Sequence, residues 1–277
     1  MARQRAELAA AVLEAAGAQP EVIVTERGGH AREIARALIA QGVSTIAAWG
    51  GDGTVNEVAS VVAFTGARMA IVPSGSGNGL ARELRIPFDP AAALGVALGS
   101  RERLMDAGEL DGHLFFNIAG IGLDAQVAHK FAANGLVRRG FARYLEITVQ
   151  ELMSYDPDEH TVVVDGETIR QRALLIAIAN ARQYGNGAVI APEARIDDGK
   201  LDIVVIGARS ALRALAQIPR VFMGQIGRVS GVTIRKTAEV EIISARPVVY
   251  HVDGEPFVGG ASIRGAIRPN ALYMKVP

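Results

Sequence analysis

The first hundred residues alternate helix-like segments with short apolar stretches, and this alternation constrains the fold more than any other feature. We predict strands at residues 22–24, 45–49 and 69–72, where short apolar runs occur. Before and between these strands, apolar residues recur at helical spacing. The first two such segments end near Gly17 and Gly42, and the third runs from Thr54 to Phe64. Short apolar strands separated by helices are typical of a parallel sheet covered by helices. We therefore predict an α/β domain over residues 1–105.

The pattern changes near residue 105. A mainly helical stretch from 122 to about 153, with a break near Gly135, is followed by strand-like segments that are joined by turns. One of these turns is Asp165-Gly166, a pair typical of a hairpin. We predict a mostly antiparallel, sandwich-like β domain with helices over residues 106–277, whose last residues pack back on the first domain. A cleft between two such domains is a usual place for a site.

Composition limits the classes of partner and compartment. Lys+Arg and Asp+Glu both number 29, so no net charge favours nucleic acid, and we predict no nucleic-acid partner. The absence of cysteine excludes disulfides and thiolate chemistry. No run approaches the roughly 20 apolar residues of a membrane span, and the N-terminus is unlike a signal peptide. We expect a cytoplasmic protein without a transmembrane segment. The sequence leaves open whether the protein forms a homodimer.

A glycine-rich loop, Gly50-Gly51-Asp52-Gly53-Thr54, follows the second strand, and we expect a helix to start at Thr54. Glycines allow the backbone to approach a ligand closely, and a helix N-terminus favours a phosphate. Asp52 suits such a place if Mg²⁺ lies between its carboxylate and the phosphate. The alternative is an ordinary strand–helix turn in which Thr54 is the N-cap.

A second loop of small residues, Pro73-Ser74-Gly75-Ser76-Gly77-Asn78-Gly79, follows the next strand. Because the carboxyl ends of neighbouring parallel strands meet at one edge of the sheet, we expect the two loops to lie side by side there. Ser76 can donate its hydroxyl to a phosphate oxygen. The spacing of a P-loop is absent, so any nucleotide would be held differently.

The second domain offers two acidic groups. Asp253-Gly254-Glu255 follows an apolar strand and could supply the base that an alcohol acceptor needs, although the local sequence favours a plain hairpin turn. Residues 195–200, Arg-Ile-Asp-Asp-Gly-Lys, could be a solvated turn or a site for a hard cation. His251, two residues before Asp253, we interpret as structural.

Taken together, these stretches resemble the diacylglycerol kinase catalytic-domain family, which includes soluble bacterial lipid kinases and is related to sphingosine, ceramide and, distantly, NAD kinases. The matching stretches occur in the family's order over nearly the whole chain. They are Gly50-Gly51-Asp52-Gly53-Thr54-Val55-Asn56-Glu57-Val58, Pro73-Ser74-Gly75-Ser76-Gly77-Asn78-Gly79-Leu80-Ala81, Asp197-Asp198-Gly199 and Asp253-Gly254-Glu255.

The resemblance implies a Rossmann-like nucleotide domain, ATP as phosphate donor and Mg²⁺ as cofactor. It implies Glu255 as the general base, with Asp52 as the second catalytic residue. The implied ATP-binding residues are Thr25, Gly51, Asp52, Gly53, Thr54, Val55, Asn56, Glu57 and Ser76. A structural Mg²⁺ is implied at Asp198 with the carbonyls of Arg195 and Lys200, and Asp106 matches an acidic residue linked to that site.

The chain departs from the family at its start. The family usually opens with a strand that ends in an Asn-Pro-x-Ser/Ala-Gly-like turn, whereas this chain begins within the helix that should follow. We therefore expect the sheet to lack an inner strand.

The function implied is an ATP-dependent lipid kinase that works at the membrane surface. Diacylglycerol is the default acceptor, and a sphingoid base, ceramide or phosphatidylglycerol stay open. The alternatives are an NAD kinase-like enzyme with a soluble substrate and a catalytically impaired nucleotide-binding protein. Lys130, Arg138, Arg139 and Arg143 could contact anionic lipid, although a solvated helix face is favoured.

Overall fold

The computed structural model describes residues 2–133 and 141–277. The chain divides into two compact units. The first comprises the residues up to Met105 together with Asn270–Pro277, and the second comprises Asp106–Pro269. The sequence analysis predicts domains of residues 1–105 and 106–277, with the last residues of the second packing back on the first.

The first unit is an α/β structure in which helices and strands are interspersed along the chain. They are α1 (Ala2–Ala15), α2 (His30–Ala40), β1 (Thr45–Gly50), α3 (Asp52–Val62), β2 (Arg68–Pro73), α4 (Gly79–Glu83), α5 (Pro90–Leu98), the start of β3 (Glu102–Leu110) and the end of β13 (Ser262–Lys275). β1 and β2 are parallel, and the end of β13 runs parallel to β2 on its other side. The predicted parallel sheet with helices is confirmed.

Two expectations about this unit are wrong. Residues 22–24 form no strand, and Val22, Ile23 and Val24 are 39%, 42% and 43% exposed. A strand needs a neighbour for its backbone hydrogen bonds, and no strand in the described part of the chain pairs with these residues. The helix after the first glycine-rich loop begins at Asp52, two residues before the predicted start, because Gly51 is already the extended residue that precedes it.

The second unit is built mainly of antiparallel strands. Its further described elements are β4 (His113–Phe115), β5 (Ile118–Gly122), α6 (Leu123–Ala133), α7 (Phe141–Ser154), β6 (Glu159–Val164), β7 (Glu167–Ala179), β8 (Leu201–Gly207), α8 (Ala211–Leu215), α9 (Ile218–Phe222), the 3-10 turn Ile226–Arg228, β9 (Val232–Thr237), β10 (Glu239–Ser244), β11 (Val249–Val252) and β12 (Glu255–Val258). The predicted break near Gly135 lies outside the described residues.

The long strand β7 connects two sheets. Its first half pairs with β6, which continues through β10 to β13. Its second half pairs with β5 and β8, which continue to β11, β12 and β9. The apolar faces of both sheets share one core that contains Phe115, Ile176 and Tyr250. The predicted antiparallel sandwich is confirmed, and so is the Asp165-Gly166 hairpin, where both residues have positive φ.

Candidate functional site

The two glycine-rich loops lie side by side at the carboxyl ends of β1 and β2. Gly50 and Pro73 are register partners, and the N–H of Ser74 donates to the carbonyl of Gly50 at 2.9 Å. A Cβ on Gly75 would stand 2.5 Å from the Cα of Gly51, a distance that real Cβ atoms do not show. Glycine at position 75 is therefore what allows the two backbones to touch.

Asp52 connects the two loops. Its Oδ2 accepts the N–H of Asn78 at 2.9 Å, and its Oδ1 accepts the N–H of Gly79 at 2.7 Å. Burial raises the pKa of Asp52, and the N–H groups of Gly79 and Asn78 oppose that rise. Both carboxylate oxygens are thus committed to the start of α4, which makes Asp52 the residue that fixes one loop against the other.

Asn78 is a loop-forming residue to which the sequence analysis gave no role. It takes a left-handed backbone conformation with φ of 51°. Its side chain accepts the N–H of Gly75 at 2.8 Å and donates to the carbonyl of Gly75 at 2.7 Å. The frequent occurrence of Asn at positive φ is the signal that could have identified it.

The predicted ATP-binding residues divide into an exposed group and a structural group. Thr25 and Ser76 are exposed, whereas Val55 and Asn56 are buried on α3. The carboxylate of Glu57 accepts the N–H groups of Gly29 at 2.9 Å and Arg32 at 3.3 Å, so it caps α2.

Thr54 packs against the backbone of the first loop, since a Cβ on Gly50 would stand 2.5 Å from the Cβ of Thr54. Gly53 lies in the first turn of α3, and a Cβ there would meet nothing within 4 Å. The first turn of α3 therefore has a packed side and an open side.

In the second unit, Asp253-Gly254 forms the turn between β11 and β12. Both residues have positive φ, 48° and 88°, which is the geometry of a two-residue hairpin turn. The Asp253 carboxylate accepts the N–H groups of Phe116, Asn117 and Ile118 at 2.9, 3.0 and 3.1 Å. The hairpin is thereby anchored to the start of β5, and it presents Glu255 as an exposed residue at the start of β12.

A buried pair supports the same turn. Nε2 of His251 lies 2.8 Å from Oδ2 of Asp124, and Nδ1 of His251 accepts the N–H of Gly254 at 3.2 Å. Burial alone would lower the pKa of His251, but the charge and hydrogen bond of Asp124, together with the charge of Asp253, raise that pKa overall. Gly120 provides the space, because a Cβ there would stand 2.2 Å from Asp124. Nothing in the sequence pairs Asp124 with His251, which lie 127 residues apart.

Backbone hydrogen bonds and the side chain of Lys236 stabilise the acidic turn at residues 197–200. Oδ2 of Asp198 lies 2.8 Å from Nζ of Lys236, and its Oδ1 accepts the N–H of Lys200 at 3.2 Å. Asp106, which is buried, accepts the N–H of Gly199 at 2.8 Å. Burial raises the pKa of Asp202, which lies beside Lys236.

The Asp198 carboxylate has the ammonium group of Lys236 beside it. Among the residues described, no group of three or more His, Cys, Asp or Glu side chains is arranged to hold a metal. The ligand assignment to Arg195, Asp198 and Lys200 stays a prediction that this geometry does not support.

The basic stretch of the second unit is only partly described. Lys130 makes an ion pair of 2.6 Å with Glu151 on α7. Arg138 and Arg139 lie outside the described residues, as does the side chain of Arg143. In the described part of the chain, no helix has the length and apolarity to cross a membrane.

Two protein families match this chain, one over its N-terminal part and the other over the rest. The diacylglycerol kinase catalytic domain matches residues 1–110, and the YegS C-terminal NAD kinase beta sandwich-like domain matches residues 117–276. A Pseudomonas aeruginosa protein with the name "Probable lipid kinase YegS-like" is 32% identical over 97% of this chain and 88% of its own length. A Chromohalobacter salexigens protein of the same name is 31% identical over 95% and 85%.

Solved structures show the same fold. A diacylglycerol kinase from Bacillus anthracis has a TM-score of 0.74 at 19% identity and covers 98% of this chain and 91% of that one. An NAD kinase from Archaeoglobus fulgidus in complex with ATP has a TM-score of 0.55 at 11% identity, covering 97% and 88%. The family matches place the chain among the lipid kinases, and the solved structures show the fold that diacylglycerol kinases share with NAD kinases. The chain belongs to the YegS-like lipid kinase family.

Proposed function

We propose that this chain transfers the terminal phosphoryl group of ATP to the hydroxyl of a lipid, with diacylglycerol as the first candidate. The observation that carries the proposal is the junction of the two glycine-rich loops, held by both oxygens of Asp52 at the ends of two parallel strands. A relative with the name "Probable lipid kinase YegS-like" is 32% identical to this chain, which supports a lipid as the acceptor.

The ATP site of the proposal lies on the first unit. The backbone at the start of α3 offers N–H groups and a positive dipole end to the phosphates, and exposed Ser76 offers a hydroxyl. The residues proposed for the ATP site either contact ATP or shape the loops that do so. They are Thr25, Gly51, Asp52, Gly53, Thr54, Val55, Asn56, Glu57 and Ser76. Glu57 and Asn56 belong to the indirect group, since one caps α2 and the other is buried.

Mg²⁺ belongs to the proposal as the companion of ATP, where it neutralises charge on the phosphate oxygens. Asp52 already accepts two N–H groups, so this residue orders the loops rather than donating a free carboxylate. The role assigned to it is to hold the phosphate-binding backbone in place while transfer occurs.

Glu255 is the proposed general base. It is exposed at the start of β12, while the preceding turn is fixed by Asp253 and by His251. A carboxylate on a rigid hairpin can accept the proton of an acceptor hydroxyl as the oxygen attacks the phosphorus. The acceptor is a lipid presented at a membrane or micelle surface.

The test is transfer of labelled phosphate from ATP to a panel of acceptors in mixed micelles. The panel contains diacylglycerol, a sphingoid base, ceramide and phosphatidylglycerol, with NAD as the soluble competitor. The proposal expects label in a lipid and none in NADP. Label in NADP alone would support the soluble-substrate alternative, and ATP binding with no labelled product would support an impaired enzyme.

A further inference from the structure

Lys236 lies among acidic and carbonyl oxygens in the second unit. It is on β9, directly opposite Asp202 on β8. Its Nζ lies 2.8 Å from Oδ2 of Asp198, 3.1 Å from the carbonyl oxygen of Glu193 and 3.6 Å from Oδ2 of Asp202. An ammonium group has three N–H donors and no acceptor. The ammonium therefore donates to two oxygens, those of Asp198 and Glu193, and makes an ion pair with a third, that of Asp202.

Buried Asp202 requires a positive charge at the position of the Lys236 ammonium. The residue is 2% exposed, and its Oδ2 has no hydrogen-bond partner among the described residues apart from the ion-pair contact with Lys236. A carboxylate buried to that degree is costly unless an opposite charge stands close to it. Lys236 supplies that charge from the neighbouring strand.

Each oxygen of Asp198 already has a donor beside it, so a cation bound there would share the carboxylate with the ammonium of Lys236. One oxygen accepts the N–H of Lys200, and the other faces the ammonium of Lys236. Mg²⁺ would require a carboxylate oxygen at about 2.0–2.1 Å with near-octahedral geometry. An ammonium held on the same carboxylate would also repel it.

We propose that the Lys236 ammonium replaces, in this chain, the structural divalent cation that the family resemblance implies at Asp198. The turn at residues 197–200 is then held to β8 and β9 by a side chain, and its order does not depend on metal. Asp106 completes the arrangement from the other side, through the N–H of Gly199. The proposal is independent of the lipid acceptor and of any Mg²⁺ that accompanies ATP.

Manganese binding to the nucleotide-free protein, measured from the electron paramagnetic resonance signal of free Mn²⁺, tests the replacement. Wild type and Asp198→Asn are expected to bind Mn²⁺ equally weakly. Lys236→Met keeps the aliphatic stem but removes the charge, and it is expected to gain a Mn²⁺ that the double variant with Asp198→Asn lacks. A Mn²⁺ bound by wild type and lost in Asp198→Asn would overturn the proposal, as would a folded Lys236→Met that binds no more than wild type.

Thermal unfolding supplies a second readout. Lys236→Met is expected to unfold at least about 5 °C below wild type, because it leaves Asp202 buried without a partner. Millimolar Mg²⁺ should raise its unfolding temperature and leave that of wild type unchanged. Arg235→Met is the matched control, since Arg235 is the adjacent residue on β9 and its partner Glu167 is exposed. Equal unfolding temperatures for the two variants would contradict the proposal; if Lys236→Met does not fold, the comparison of wild type with Asp198→Asn decides.

Discussion

Asp52 accepts the backbone N–H of Gly79 at 2.7 Å, so the acidic residue of the first glycine-rich loop fixes the helix that follows the second. The adjacent N–H of Asn78 donates to the other carboxylate oxygen. A single side chain thus sets the distance between the two segments that we propose hold the phosphates of ATP.

Replacing Asp52 by Ala should therefore affect both folding and binding. Two N–H groups would lose their acceptor, and we expect the free energy of unfolding to fall by about 1–3 kcal/mol. ATP affinity should fall at least about tenfold, since the loops lose their fixed spacing. Urea unfolding and calorimetric titration with ATP measure the two effects.

Ser76→Ala is the control for this change, because Ser76 is exposed on the second loop. It should leave the free energy of unfolding within about 0.5 kcal/mol of wild type. An Asp52→Ala protein as stable as Ser76→Ala would show that Asp52 does not hold the loops.

Glu57→Ala tests the capping role of Glu57 on α2. Its carboxylate accepts the N–H groups of Gly29 and Arg32 at the start of α2, so we expect a loss of about 0.5–2 kcal/mol in unfolding free energy. Glu14→Ala, an exposed position on α1, should change the same quantity by no more than about 0.5 kcal/mol. Matching urea midpoints for the two variants would argue against the cap.

Gly120→Ala tests the buried pair beneath the Asp253-Gly254 turn. Its new Cβ would stand 2.2 Å from Oδ2 of Asp124 and 2.5 Å from Nε2 of His251. Overpacking of this kind costs about 1–3 kcal/mol, and phosphoryl transfer should fall because the turn before Glu255 shifts. Gly95→Ala is the opposite control: it lies in α5 with nothing within 4 Å of its Cβ, so it should be neutral or stabilising. Equal effects of the two substitutions would contradict this account.

His160 predicts a specific pH dependence of stability. Burial lowers its pKa, so the folded state binds a proton less readily than the unfolded chain does. Its contribution to stability is therefore fully present above the unfolded pKa of about 6.5 and is lost as the pH falls through the lower folded value. His160→Gln should flatten the decline in unfolding free energy between about pH 7.5 and 5. His129→Gln, at an exposed position, should leave the decline as in wild type.

Local patterns in the sequence predicted much of the fold and the position of the two glycine-rich loops. Glycines after two apolar strands were enough to place both loops at one edge of a sheet, and Asp165-Gly166 was enough to predict a hairpin. These features depend on residues that are neighbours in the chain.

Features that depend on distant partners were missed, wrong or, for the metal ligation, left as a prediction. Val22, Ile23 and Val24 have strand-like residues, but a strand forms only where another strand offers its backbone, and none of those described pairs with them. The metal ligation predicted for Asp198 is opposed by Lys236, which lies 38 residues further along. The pair of His251 with Asp124 likewise exists only through the sheet that brings β11 beside β5.

The most direct test of the central claim compares Glu255→Gln with Glu167→Gln. Both residues follow an Asp-Gly hairpin turn with positive φ at both positions, and both are exposed, so both variants should fold and bind ATP as wild type does. The measurement is the rate of labelled phosphate transfer from ATP to the lipid that wild type phosphorylates. We expect a loss of at least about a hundredfold for Glu255→Gln, the scale of general base catalysis, and near wild-type transfer for Glu167→Gln. Near wild-type transfer by Glu255→Gln would contradict the assignment of the base and with it the proposed mechanism.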